Sequence, residues 1–151
     1  MDRTSERIEE LRRGFEAQPS VQAIGATLRN ISAGYAEVEL VVSHNLLVNG
    51  DLPPEMFVQG GYLIGVLPNF AGVYAAMTLS NGHALLIEAQ GSIRNPAVMG
   101  ERIVAKASAV RDGRAITVTW QVESADTGTL KSSGTFVYRL KKSETLDWLV
   151  V

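Results

Sequence analysis

The sequence predicts an α+β fold in which a curved antiparallel sheet wraps around one long central helix. Three observations predict it. An uncharged apolar stretch runs from Met56 to Gly82, two strand-like segments precede it, and four more with hairpin turns follow it. Strands that are apolar on one face must bury that face, and the uncharged stretch is the only segment long enough to cover them.

Residues 4–16 read as a helix, with Thr4 or Ser5 as its cap and Ile8, Leu11 and Phe15 recurring at helical spacing. The apolar stripe is narrow, which places this helix on a surface, and Pro19 ends it. Residues 23–30 and 35–42 read as two strands joined around Ser32-Ala33-Gly34. In the second, Ala36, Val38, Leu40 and Val42 alternate with Tyr35, Glu37, Glu39 and Val41, the period of a half-buried strand. Residues 43–55 carry the loop signals Asn-Gly and Pro-Pro.

After Asn81-Gly82, strands are expected at 83–94, 101–111, 114–124 and 129–140, running as an antiparallel meander. Ile116, Val118, Trp120 and Val122 share one face. In the last strand Leu130, Phe136, Tyr138 and Leu140 share a face, with Lys131, Ser133, Thr135 and Arg139 opposite. "RDGR" and "ADTG" are hairpin-type turns. The chain is expected to be one domain over residues 1–151, with an N-terminal helix in 1–18 and a mixed tail over 141–151. The tail's end, Trp148 to Val151, packs either on the body or on a partner.

The uncharged stretch is long enough to span a bilayer. Pro68 and Asn69 stand at its centre, however, no Lys or Arg cluster flanks it, and the neighbouring strands alternate as soluble sheets do. It reads as an enclosed helix. With 20% charged residues and a net charge of -2, no basic surface points to nucleic acid or an anionic membrane. The absence of cysteine excludes disulfides, thiol catalysis and Cys-based metal sites, and His44 and His83 show no ligand spacing. The N-terminal segment is charged and lacks a signal-peptide core, so a cytoplasmic location is the expectation.

The ordered series of motifs resembles the PaaI-like acyl-CoA thioesterases of the hotdog superfamily, from about Phe15 to Leu140. "VQGGYLIGVLPNFAGVYAAM" is similar to that family's His/Gln-Gly-Gly helix start with its small-residue end. "IRNPAVMGERIVAKA" follows its strand, Arg, Pro and Gly-Glu pattern, and "SSGTFVYRL" its closing strand. The resemblance implies a hotdog fold, a homodimer and a dimer of dimers. It also implies hydrolysis of a small or medium acyl or aryl thioester, with coenzyme A as part of the substrate and no separate cofactor. The other reading is an acyl or acyl-CoA binding protein that lacks the acid; a dehydratase would want a histidine on the central helix.

Thioester hydrolysis needs a positioned water and donors for the oxyanion. By resemblance, the Gly60 amide holds the thioester oxygen, with Gly61 beside it and Gln59 orienting the loop or contacting substrate. Free N–H groups and a partial positive charge at a helix start suit that role, although paired glycines also permit close helix–sheet packing. Relatives place an acid on the central helix, at a spacing that lands on Pro68 when counted from Gln59, with Asn69 next. Neither is a base; Asn69 can still orient water or bond a substrate carbonyl. The family's Asn in the preceding loop has no counterpart at its usual spacing, where Pro53 sits, leaving Asn49 if the loop is longer.

Asp51, Glu55 and Glu88 are the remaining carboxylates. Glu55 also reads as a helix-start acid, and alternation puts Glu88 opposite Leu85, Ile87 and Ala89, toward solvent or a subunit interface. Arg94, Arg111 and Arg114 at strand ends are candidates for CoA phosphates, or plain turn residues. Leu63, Leu67 and Phe70 line an acyl tunnel or belong to the core. Pro68 removes an amide that would bond the Ile64 carbonyl, worth about 3 kcal/mol in a helix interior. The freed carbonyl is then open to a ligand, a water or Asn69, or the kink fits the helix to its sheet.

Overall fold

Short turns force neighbours in sequence to pair, whereas a longer link lets a strand cross to a distant partner. The computed structural model, which describes residues 3–47, 58 and 60–141, shows both cases. β1 (Thr27–Ser32) and β2 (Tyr35–Val41) form one hairpin, and β4 (Arg102–Asp112), β5 (Ala115–Ser124) and β6 (Leu130–Lys141) form a meander. β3 (His83–Ile93) departs from the expected order. Its link to β4, residues 94–101, contains Pro96 and crosses the end of the sheet, so β3 pairs with β6. The six-stranded antiparallel sheet has the order β1-β2-β4-β5-β6-β3.

Two helices precede the sheet. α1 (Arg3–Glu16) buries Leu11 and Phe15, as its narrow stripe predicts. Pro19 then starts a second helix, α2 (Pro19–Ile24), so residues 23 and 24 are helical and the first strand begins later than expected. The physical reason is that proline is well tolerated at the first helical position, where its missing N–H has no partner to lose.

The central helix begins at Gly60, passes through a π-helical turn over Tyr62–Val66 and continues as α3 (Leu67–Met77). The sheet curls around it. Val38, Leu40, Ala105, Ala107, Ile116, Val118, Phe136 and Tyr138 face it and are buried. The C-terminal end is fastened at two points. Thr78 Oγ1 donates to the Ala75 carbonyl and accepts the Gly34 amide, both at 2.7 Å, tying the helix to the β1–β2 turn. Arg7 of α1 donates to the carbonyls of Met77, Ser80 and Gly82, placing a cation at the negative end of the helix.

Two bulges reset the side-chain faces. On β6, Val122 pairs with Ser132 and Glu123 with Leu130, leaving Lys131 as the extra residue. Lys131 is therefore not on the outer face with Ser133. It is 7% exposed, its ammonium 2.9 Å from Glu101 and donating to the Pro96 carbonyl. On β3, Ile87 is the extra residue between Leu86 and Glu88, so Glu88 shares the outer face with Leu85 rather than opposing it.

Candidate active site

The start of the central helix lies against the far end of β3. A Cβ on Gly60 would come within 2.9 Å of Cδ1, the movable tip of Ile93, while a Cβ on Gly61 would meet only open space. The first amides of any helix have no intrahelical acceptor, which makes a helix start a place where an oxygen-bearing ligand can be held. The flank is pinned: the Val58 amide donates to the Ala97 carbonyl at 2.8 Å. The Arg94 and Asn95 amides both donate to Lys131 O, and Lys131 holds Pro96 and Glu101. The bulge that buries Lys131 thus fixes the 94–101 crossover beside the helix start.

One turn further on, the π-helical segment redirects two backbone groups. The Leu67 amide bonds Tyr62 O, five residues back. The next amide in that register would be residue 68's, and Pro68 has none. Leu63 O is left over, and the fully buried Ser132 hydroxyl donates to it at 2.6 Å. The expectation that Pro68 frees Ile64 O for a ligand, a water or Asn69 therefore shifts by one residue, because the turn is wider than an α-turn, and the acceptor is taken by Ser132.

Asn69 stands on the side of the helix facing β6. The Tyr138 hydroxyl donates to Asn69 Oδ1 at 2.7 Å. Burial pushes the Tyr138 phenol far above its ordinary range, so it stays a donor. Donation in the other sense would strand a buried phenolic proton. Asn69 Oδ1 is thus held toward Tyr138, and the two Nδ2 hydrogens are the groups it has left to donate. Gly72 makes the room, since a Cβ there would lie 2.6 Å from Tyr138 Oη.

No family model and no curated protein matches the sequence. The fold is similar to that of PaaI from the phenylacetic acid degradation operon of Escherichia coli, with a TM-score of 0.80 over 93% of this chain and 97% of that one at 14% identity. A mutant of the PaaI protein of Thermus thermophilus is 28% identical over 82% of this chain and 100% of its own, with a TM-score of 0.68. The chain has the hotdog fold of these proteins. A Streptococcus pneumoniae hypothetical thioesterase whose structure contains coenzyme A has the same hotdog fold, with a TM-score of 0.70 at 14% identity over 90% of this chain and 98% of that one.

Within this hotdog, the residues singled out from sequence scatter. Gly60, Gly61 and Arg94 lie at one end, Arg94 directly following the Ile93 that touches Gly60. Asn69 and the buried Pro68 lie at mid-helix. Gln59, Asn49, Asp51 and Glu55 fall outside the described residues. Glu88 is on the outer face, away from the helix. Arg114 is in the β4–β5 turn, its carbonyl bonded by the Leu140 amide, at the opposite end of the sheet from Arg94. Arg111 is engaged with Leu79 O and Gly113 O. Leu63 and Leu67 are core side chains, at 1% and 0% exposed, while Phe70 stacks edge-on to Phe15. Sequence reasoning missed Tyr138, Ser132 and Lys131 as partners of the site. Their only sequence signal was a polar residue on, or near, an otherwise apolar strand face. Among the described residues no carboxylate or histidine cluster could hold a metal, and no helix is long and apolar enough to cross a membrane.

Proposed function

We propose that this chain is an acyl-CoA thioesterase acting on a small or medium acyl or aryl thioester. The observation that carries the reading is the paired-glycine start of the central helix at Gly60 and Gly61, in a fold shared with proteins named as thioesterases, one of them solved with coenzyme A. Amides at Gly60 and Gly61 hold the developing oxyanion, and Asn69 binds a substrate oxygen through Nδ2. Gln59 and Asn49 border the thioester, and Glu55 supplies a nearby carboxylate. No cofactor beyond the coenzyme A of the substrate is invoked.

The two halves of this site lie too far apart in one subunit. Nine residues of helix separate Gly60 from Asn69, about 13 Å along the axis. A second copy removes the difficulty. β3 is a long edge strand whose exposed Leu85, Leu86, Ile87 and Ile93 accompany a single charge, Glu88. Such an edge invites pairing. Antiparallel pairing of β3 with its own copy sets the His83 end of one strand beside the Ile93 end of the other. The Asn69 of one copy then approaches the Gly60 of the other, and Arg94 and Arg114 from different copies share an end, where CoA phosphates would meet them. The assembly is a homodimer, with a dimer of dimers as its larger form, in the cytoplasm.

The test is hydrolysis of an acyl-CoA panel of graded chain length. Turnover above background is expected for at least one short or medium chain, and Gly60→Pro, which removes the amide, should abolish it. Tight acyl-CoA binding without turnover would overturn the enzyme reading in favour of a binding protein.

A further inference from the structure

The second half of the central helix walls a cavity that the glycine start does not reach. Its volume is about 340 Å³ and its apolar surface comes from Val73, Met77, Ala84 and Leu85. Tyr74, at its wall, is about 20 Å along the helix from Gly60. The polar groups of the cavity are Tyr74, Gln18, His83 and Lys141; among the described residues no Asp or Glu lines it.

Each of these groups has donor capacity to spare. Tyr74 is 4% exposed, and its hydroxyl oxygen accepts Gln18 Nε2 while no described acceptor takes its proton. Turning the Gln18 amide over would hand it the phenolic proton and direct the Nε2 hydrogens outward, so the pair presents a donor in both arrangements. Lys141 forms no ion pair among the described residues. It sits opposite His83 in the β3–β6 register, so both reach the same rim. The spare donor of the Tyr74–Gln18 pair stands beside an ammonium that has no ion-pair partner among the described residues, above an apolar floor.

We propose that this cavity binds a carboxylate carried on a short apolar body, the Lys141 ammonium and the Tyr74–Gln18 pair taking the carboxylate and Val73, Met77 and Leu85 the hydrocarbon. The carboxylate has two sources: a free acid, or the distal carboxylate of an acyl group reaching in from a thioester site. The second source rests on the thioesterase reading; the binding itself does not.

The experiment titrates hexanoate into the full chain by calorimetry, with hexanamide as the neutral control. Saturable hexanoate binding is expected, with hexanamide at least about 10-fold weaker, the size of a lost charged hydrogen bond. Lys141→Ala and Tyr74→Phe should each weaken hexanoate by about 10-fold, with unchanged circular dichroism melts showing that the variants fold. Equal affinity for hexanoate and hexanamide, variants that bind as the parent does, or no saturable binding would each overturn the site. Kinetics then separates the sources. A lower KM for adipoyl-CoA than for hexanoyl-CoA, lost in Lys141→Ala, assigns the cavity to an acyl carboxylate, and equal KM values with hexanoate binding intact assign it to the free acid. A chain that binds hexanoate and hydrolyses no thioester would sink the enzyme reading and leave the cavity standing.

Discussion

Asn69 is the residue at which this chain departs from an acid-bearing helix, and its orientation limits what it does. With Oδ1 held by Tyr138, the group left to donate is a pair of N–H hydrogens. Asn69→Ala should lower kcat/KM by about 10- to 100-fold, the cost of a donor to a developing charge. Tyr138→Phe should lower kcat more than it raises KM, and should cost about 1 kcal/mol of stability in urea unfolding. An unchanged kcat in Tyr138→Phe would show that the orientation does not matter to turnover. The tyrosines also set an alkaline limit. Burial and the hydrogen bond to Glu37 raise Tyr35 from 10.0 to about 12, and burial raises Tyr74 and Tyr138 as well. The unfolded chain therefore releases these protons first. Stability that is complete below pH 10 should fall as pH rises toward about 12, and Tyr35→Phe should flatten the fall when urea midpoints are followed across that window. The position of Asn69 was legible by counting from Gln59. Its partner was not, because Tyr138 read as one more apolar residue on an inward face and the hydrogen bond spans 69 positions of chain.

Periodicity located every strand to within a few residues, since each carries a two-residue alternation that one buried face enforces. It failed where a single inserted residue changes the face. Lys131 and Ile87 are such insertions, and nothing local in "TLKSSG" or "LLIEA" marks a bulge. The strand order was equally hidden, because pairing of β3 with β6 depends on the 94–101 crossover and not on either strand. The π-helical turn was announced only by Pro68. Its energetics can be separated by a double-mutant cycle. Ser132→Ala leaves the buried Leu63 carbonyl without its donor and should cost about 1–3 kcal/mol. In a Pro68→Ala background the restored amide supplies that carbonyl, so the same Ser132→Ala change should cost clearly less. Additive losses in the two single variants would mean that Pro68 does not create the vacancy Ser132 fills.

At the scale of the whole molecule, the sheet has one guarded edge and one open edge. β1 is short, carries Arg29 and lies under α1, whereas β3 runs for 11 residues with its apolar side chains uncovered. The open edge is also the strand that abuts the helix start, through Ile93 and Gly60. In the proposed dimer, association and activity are coupled by the same element. Ile87 is 54% exposed at the β3 bulge, so replacing it in a lone subunit disturbs little packing. Ile87→Lys places a charge on the pairing edge, and two such charges meet near the two-fold axis, where like-charge juxtaposition opposes association. The variant should elute as a monomer in size exclusion with light scattering while keeping its circular dichroism spectrum. Acyl-CoA hydrolysis should fall by at least about 100-fold, because Gly60 and Asn69 no longer meet on one thioester. Hexanoate titration of the same monomer supplies the control: binding retained there, with hydrolysis lost, separates a cavity belonging to one subunit from an active site that needs two. A folded monomer that still hydrolyses acyl-CoA at the parent rate would overturn the shared site.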